Sequence, residues 1–358
     1  MSVFAEKHYP ETVFGKELDE YLARGWYRMG QSIFTTHFLC FGDQLYSAIW
    51  VRLPLAGFTY RKGQRKLMRR NGAQFRIEYG PIDIDEEKER LYQRYKRHFR
   101  GHIARTLAES LLDDEDYNTF QTVESRIYDG DRLIGLSFFD VGTESAASIL
   151  GVYDPEYASH SLGYYTMLLE MDYCLEQGLQ FYYPGYVVPG YERFEYKLRI
   201  GDVEYLQLAT NKWVPYSNPG TLRIPIEEMK GQLATLQSSL DEAGLDNHLY
   251  YYPLFEANLF GLLQASYLDF PVLVQISGPY PLPQFYYLVV FDVRDGLFKL
   301  LRCSNFDDFR FYFNEAYTSA FDQGRFLVEL MIVEQILAQT PSATELAEIL
   351  RRYHEQLV

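Results

Sequence analysis

The sequence predicts an α+β protein, and three observations lead there. Between Glu124 and Lys197 the elements run strand, strand, strand, helix, strand, then a short element ending in Tyr196-Lys197. The helix of that series starts at a glycine turn, Ser161-Leu162-Gly163. Past about Tyr216 the composition shifts, and helices and a hairpin of a separate α/β region follow. With 358 residues, 47% of them hydrophobic, the chain is long enough to bury one large core or two to three smaller ones.

Each element has a local reason. Ser32–Thr36 and Leu45–Leu53 are rich in β-branched and aromatic residues and read as strands. Gly63–Asn71 reads as a short basic helix or turn, and Phe75–Tyr79 as a strand ended by Gly80-Pro81. From Asp85 to about Phe99 acidic residues crowd the first turn and basic ones the last, as the helix dipole favours, and Leu91, Tyr95 and Phe99 share one face. Asp129-Gly130-Asp131 is a hairpin signal between Glu124–Tyr128 and Leu133–Val141. Ser145–Tyr153 is a third strand, closed by Asp154-Pro155. The helix after Ser161 sets Met167, Leu168, Met171 and Leu175 on its apolar side, and Gly178 ends it. Phe181–Tyr183 is a short strand leading into Pro184-Gly185-Tyr186. Ser217-Asn218-Pro219-Gly220 reads as a linker. Beyond it come a helix over 225–242, a hairpin around Asp295-Gly296, and closing helices over about 321–338 and 343–357. This divides the chain into a β-rich region (1–71), a central domain (72–216) and a C-terminal extension (217–358) of no recognisable task.

Composition sets limits on function. No segment approaches the about 18 uninterrupted apolar residues of a membrane span, and the first residues hold no signal-peptide core. Cys40, Cys174 and Cys303 are too far apart for a metal site or a disulfide framework, so a cytoplasmic protein with no metal and no cofactor is expected. The net charge of −15 argues against a general nucleic-acid binder. Yet residues 52–105 hold 15 Lys and Arg against 6 Asp and Glu, net +9, which leaves −24 on the rest. Such asymmetry suits a local phosphate-facing surface, and equally a solvated basic helix. The load of 32 Tyr and 25 Phe is more often packing than base stacking.

Several residues stand out chemically. Ser161 and Gly163 place backbone N–H groups at a helix start, where they attract an anion or a developing oxyanion; a plain helix start explains them as well. Asp140 ends a strand among aromatic and β-branched residues, a setting that desolvates a carboxylate and raises its pKa toward that of a useful base; a turn-capping role is as good a reading. Lys197 could hold a carboxylate or phosphate, or be a surface lysine. Arg65, Arg69 and Arg70 lie within two helical turns and suit an RNA backbone, or simply solubility.

Taken in order, these strings resemble the aminoacyl-tRNA–protein transferases, which move arginine or leucine from tRNA to a protein N-terminus. The likeness runs over about residues 20–205. It includes Gly25-Trp26-Tyr27-Arg28, Phe34-Thr35-Thr36-His37, Val51-Arg52-Leu53-Pro54, Gln64-Arg65-Lys66 with Arg69-Arg70-Asn71, and Leu91 through His98. Asp140, Tyr153-Asp154-Pro155, Ser161-Leu162-Gly163-Tyr164-Tyr165, Gly185-Tyr186 and Tyr196-Lys197 complete it. The resemblance implies a GNAT-like acyltransferase fold, single or in tandem. The sequence departs from the family at its cysteine cluster: Phe38 and Ala48 stand where cysteines are expected, and Tyr191 replaces another.

What the resemblance implies is ester aminolysis with arginine as the expected amino acid. The partners would be a charged tRNA and an acceptor protein or peptide N-terminus. Asp140 would take the amine's proton. Ser161, Gly163, Tyr186, Arg193, Tyr196 and Lys197 would bind substrate, and Arg65, Arg69 and Arg70 the tRNA. Two other readings stay open. One is a GNAT enzyme using an acyl-coenzyme A, against which the single-glycine turn counts. The other is a non-catalytic binding protein built on the same fold.

Overall fold

The computed structural model describes residues 3–99, 101, 103–216, 222–260, 265–277, 285–305 and 315–355; the expected linker at 217–220 lies outside them. The chain opens with β1 (Ala5–His8), α1 (Lys16–Ala23), β2 (Tyr27–Met29) and β3 (Ser32–Thr36); the three strands form a sheet ordered β1-β3-β2. β4 (Phe38–Phe41) and β5 (Gln44–Ser47) make a separate hairpin, and β6 (Ile49–Pro54) passes into the main sheet. The expected single strand over 45–53 is therefore two. Ala48, 2% exposed, is the junction at which the chain changes sheets.

Next come α2 (Lys62–Gln74), β7 (Arg76–Pro81), α3 (Glu86–His98), α4 (Leu107–Leu112), β8 (Thr122–Asp129), β9 (Arg132–Val141) and β10 (Ser145–Tyr153). α5 (Leu162–Glu176), β11 (Phe181–Val187), β12 (Glu204–Gln207) and β13 (Lys212–Pro215) follow. The eight-stranded sheet runs β13-β12-β6-β11-β10-β9-β8-β7. Its strand pairs are antiparallel apart from β10 with β11, which α5 connects as a crossover helix. The order β8-β9-β10-α5-β11 is the expected succession of three strands, a helix and a fourth strand. Because β6, from the region ahead of residue 71, lies inside this sheet, a division at 71 falls within helix α2.

The alternation of β9 explains the layers. Phe139 and Val141 face α5 and pack with Met167, Leu168, Met171 and Tyr182. Leu136 and Phe138 face the other way, against Leu91 and Tyr92 of α3 and Leu107 and Leu111 of α4. The N-terminal strands cover the rest of that second face, where Tyr27, Phe34 and Trp50 meet Ala147 and Tyr183. Helix ends follow their sequence signals. Asp85 Oδ1 accepts from the Lys88 N–H at 2.9 Å, and Gly178 at φ 71° ends α5 in the left-handed conformation an αL cap needs.

The C-terminal unit holds α6 (Pro225–Glu242), β14 (Asn247–Tyr251), β15 (Val272–Ile276), β16 (Tyr286–Asp292), β17 (Leu297–Asn305), α7 (Glu315–Thr318), β18 (Met331–Thr340) and α8 (Ala343–Glu355). Its described strands form a sheet ordered β14-β15-β16-β17-β18, every pairing antiparallel. It therefore lacks the parallel crossover of the first unit, and a tandem arrangement is not seen. The helix expected over 321–338 is corrected to strand β18, which pairs with β17 across two register irregularities, at Leu300/Leu301 and Arg302/Cys303. The helices over 225–242 and 343–355 form as expected, the latter with Ser342 Oγ accepting from the Glu345 N–H at 3.2 Å. No helix among the described residues is long and apolar enough to cross a membrane.

The two units are sewn together by the N-terminal strands. Phe4 and Phe38, both fully buried, belong to the C-terminal core with Leu45. The Phe4 N–H donates to Asp269 at 2.6 Å, and the Arg294 guanidinium lies 3.8 Å over the Phe4 ring. Phe38 packs edge-on against Phe4 and Phe255. So apolar packing occupies the hairpin position where cysteines were expected.

Candidate active site

The parallel strands β10 and β11 pair only over Ser145–Ala147 and Phe181–Tyr183. Beyond that they part. β10 carries an irregularity at Ser148/Leu150 and β11 another between Tyr182 and Gly185. Two backbone carbonyls are thereby turned away from strand partners. The Tyr27 hydroxyl, reaching in from β2, donates to both: to the Tyr183 carbonyl at 2.8 Å and to that of Ser148. Tyr27 is held for this by stacking on Trp50, ring centroids 5.4 Å apart.

The 3₁₀ segment Glu192–Arg199 crosses beside the fork. Its Lys197 donates to the Tyr186 carbonyl at 3.1 Å and lies 5.4 Å from the Tyr186 and Phe194 rings. Burial pushes this ammonium down to about 8, and its contacts are a backbone carbonyl and two aromatic rings. Gly185, at φ 94°, is required here. A Cβ would be strained, and would stand 3.0 Å from Lys197 Nζ. Tyr196, next to it, is 40% exposed.

An open cleft of about 740 Å³ lies at the end of β10, lined by Tyr95, His98, Phe99, Tyr153, Pro155, Ala158, Tyr191 and Arg193. Tyr95 meets Tyr153 at 5.4 Å and Phe99 at 5.5 Å, and the Arg193 guanidinium lies 4.1 Å over the Phe99 ring. Gly163 matters for this wall: a Cβ there would come within 3.1 Å of Tyr153. Ser161, at φ 53°, is the residue before α5, and its carbonyl accepts from the N–H groups of Tyr164 and Tyr165. Both residues thus shape the cleft wall and the helix start.

The cations of α2 lie alongside. Arg65, Arg69 and Arg70 are exposed. Arg70 donates to the His160 carbonyl at 3.1 Å, two residues from the cleft-lining Ala158, and Asn71 donates to the same carbonyl at 3.0 Å. Buried Gln64 clamps the helix from its inner side, donating to the Ile200 carbonyl at 2.8 Å. On the far rim stand Lys96, Arg97 and His98, the basic last turn of α3. Of the three arginines, Arg70 is thus the one joined to the segment beside the cleft.

Asp140 sits elsewhere than a freely accessible base would. It is 0% exposed, on the sheet face covered by the N-terminal strands. Its Oδ1 accepts from Arg28 at 2.8 Å and from the Thr122 hydroxyl at 2.5 Å. Arg28 also donates to Thr122 and to the Leu111 carbonyl. Burial raises the Asp140 carboxyl above its usual range, against the opposing pull of Arg28 and Thr122. Its ion partner is thus an arginine of β2, in the N-terminal three-stranded sheet.

Sequence reasoning passed over Tyr27 as a hydrogen-bond donor, the aromatic walls Tyr95, Phe99, Tyr153 and Tyr191, and Glu170. Glu170 did leave a signal: it is an acid on the apolar side of α5, between Met167 and Met171.

The family model described as "Arginine-tRNA-protein transferase, C terminus" matches residues 87–207. The aspartate/glutamate leucyltransferase of Leptospira interrogans is 27% identical over 195 residues, 53% of this chain and 74% of that protein. Those of Vibrio cholerae (27%; 54% and 80%) and Helicobacter hepaticus (27%; 58% and 83%) are similar over the same extent. Among solved structures, L-PGS from Bacillus licheniformis matches 50% of this chain and 52% of its own at 11% identity, with a TM-score of 0.31. The GCN5-related glucosamine N-acetyltransferase region of a fungal multi-domain beta-N-acetylglucosaminidase matches 53% and 21% at 16% identity, with a TM-score of 0.30. Residues 87–207, which carry both strands of the fork, are thus the part of the chain that is similar to the C-terminal part of the arginine-tRNA-protein transferases.

Proposed function

We propose that this chain is an aminoacyltransferase that moves an amino acid from charged tRNA to the α-amine of a protein N-terminus. The observation that carries this reading is the meeting of three features around the middle strands of the sheet. They are a forked parallel strand pair, an aromatic cleft, and cations on both rims. Arg65, Arg69 and Arg70 on one side, with Lys96 and Arg97 on the other, neutralise phosphates of the acceptor stem. The aromatic cleft takes the tRNA's 3′ end, because every base has a face on which tyrosine and phenylalanine stack. The ester is already activated, so positioning supplies much of the rate and no serine or cysteine nucleophile is needed. Ser161 and Gly163 shape the wall on which the aminoacyl group rests. Lys197, with Arg193, Tyr186 and Tyr196 around it, binds the acceptor, and its ammonium suits an acceptor that begins with Asp or Glu. Asp140 acts from behind as a positioning residue: it holds Arg28, and with it the strand that carries Tyr27.

For the amino acid, the lining favours leucine over the arginine expected from the sequence. Among the described residues none that lines the cleft is a carboxylate, and an arginyl side chain would bring a second cation against Arg193 and His98. The curated relatives named above are leucyltransferases. The test is transfer by purified protein from leucyl-, arginyl- and other charged tRNAs to peptides beginning with Asp, Glu, Lys or Arg. Leucine on Asp and Glu peptides is the expected product; arginine as the sole product overturns the choice of amino acid, and no transfer from any tRNA overturns the enzyme. Replacing Arg65, Arg69 and Arg70 together by glutamine is expected to lower the slope of log affinity against log salt by about 2–3, since each lost phosphate contact removes about 0.7–0.9. An unchanged slope would place the tRNA elsewhere.

A further inference from the structure

Glu170 is the buried acid that the mechanism so far leaves idle. It is 1% exposed, on the α5 face that packs against the sheet. The Tyr182 hydroxyl of β11 donates to its Oε2 at 2.7 Å. The hydroxyls of Ser148 on β10 and Ser137 on β9 also favour its charged form, and Ser137 is fixed in turn by Ser125 at 2.7 Å. Ser148 is the first residue past the paired stretch of β10, half-buried, and its carbonyl is the one that Tyr27 caps at the fork. Ser148 thus lies where β10 parts from β11, on the strand beside the acid.

We propose that Ser148 and Glu170 form a proton relay at the fork, in which Ser148 receives the proton shed by the acceptor's α-ammonium and passes its own to the Glu170 carboxylate. The idea rests on the transfer reading above. The freed amine forms the C–N bond at the ester carbonyl, and the C–O bond to the ribose breaks. The nitrogen's second surplus proton goes to the departing ribose oxygen, so one proton is released per transfer, to Glu170. Ser148 would touch substrate; Glu170 acts through it as a positioning residue.

The surroundings suit the task. The titratable groups facing Glu170 are Tyr182 of β11, Tyr27 of β2, Tyr79 of β7, Tyr196 of the 3₁₀ segment and Cys174 of its own helix, all uncharged at neutral pH. No cation is among the groups that shift it. Burial pushes it up to about 7, against the pull of the three hydroxyls. An α-amine titrates at about 7.7–8.0, so proton transfer between the two is nearly balanced. A purely structural residue here would be neutral, because an ionisable carboxyl buried without a cation is costly to desolvate.

The experiment is single-turnover transfer across pH by wild type, Glu170→Gln, Ser148→Ala and Tyr182→Phe, with folding checked by tryptophan fluorescence. The wild-type rate should rise along a limb near pH 7. Glu170→Gln should be about 100-fold slower or more, as loss of a general base is, with the limb gone. Ser148→Ala should be similarly slow. Tyr182→Phe should shift the limb to higher pH, because the lost hydroxyl stabilised the carboxylate. A limb that survives Glu170→Gln, or an unchanged rate in Ser148→Ala, overturns the relay. If Glu170→Gln fails to fold, Ser148→Ala and Tyr182→Phe still decide. A wild type that transfers nothing overturns the reaction as well. The two failures are told apart by ¹³C-glutamate titration of the free protein, where a Glu170 midpoint at an ordinary carboxylate value defeats the relay alone.

Discussion

Replacing Arg28 with methionine should destabilise the N-terminal unit by roughly 3–5 kcal/mol, the usual consequence of leaving one member of a buried ion pair without its partner. The pair is well enclosed: the Arg28 and Asp140 side chains are 1% and 0% exposed. Without the guanidinium, Asp140 keeps only the Thr122 hydroxyl, and its other oxygen already has no hydrogen-bond partner. The carboxyl answers by taking up a proton, since the attraction that opposed its burial is gone. The sign follows. In the variant the folded state binds a proton that the unfolded chain has already lost above its ordinary carboxylate range, so stability falls as pH rises. The deficit against wild type should therefore be smaller at pH 5 than at pH 8. Trp26, Trp50 and Trp213 all lie in the cluster around Tyr27, so their fluorescence reports this unit's unfolding in denaturant. A loss under about 1 kcal/mol, or one independent of pH, would show that the pair is not what joins β2 to the sheet.

Substituting Lys197 by methionine should raise KM for peptides beginning with Asp or Glu by roughly 10- to 150-fold, the equivalent of about 1.5–3 kcal/mol for a hydrogen bond to a charged group. The rate at saturating acceptor should change far less, because the ammonium touches the acceptor's side chain and not the reacting atoms. Peptides beginning with a neutral residue should be indifferent to the change. The wild type carries its own control in pH. Its ammonium, held down to about 8, is lost as pH passes that value, so affinity for acidic acceptors should weaken above pH 8. Stability should move the other way. Between about 8 and the ordinary lysine value the unfolded chain binds more protons than the folded one, so folding becomes more favourable as pH rises through that window. Lysine 197 variants that leave the KM ratio of Asp to neutral peptides untouched would remove it from the acceptor site.

Much of the central domain is written in local pattern. The apolar face of α5, the turn at Gly130, the acidic-to-basic run of α3 and the stop at Gly178 each depend on a few neighbouring residues, and each appears where those residues put it. β18 was hidden for the opposite reason. Its partner strand slips register twice, so the apolar residues 331–333 and 336–338 come in blocks that imitate helical spacing. At the site, Asp140 stands near the end of its strand as expected, but its partner was not legible. Its partner Arg28 is 112 residues away, and nothing local announces that pairing. Tyr27 was equally silent, because a tyrosine hydroxyl filling a gap between two strands exists only after the sheet has forked.

The seam between the two units has a consequence for the molecule's history. Phe4, Phe38 and Leu45 contribute to a core whose other members all lie beyond residue 224. A chain cut after 216 would bare those rings to water, and removing the Phe38 ring alone should cost about 3–5 kcal/mol. The last third is therefore no detachable appendage that shuffling could exchange. The two parts can drift in sequence only together, each acting as the mould in which the other is cast.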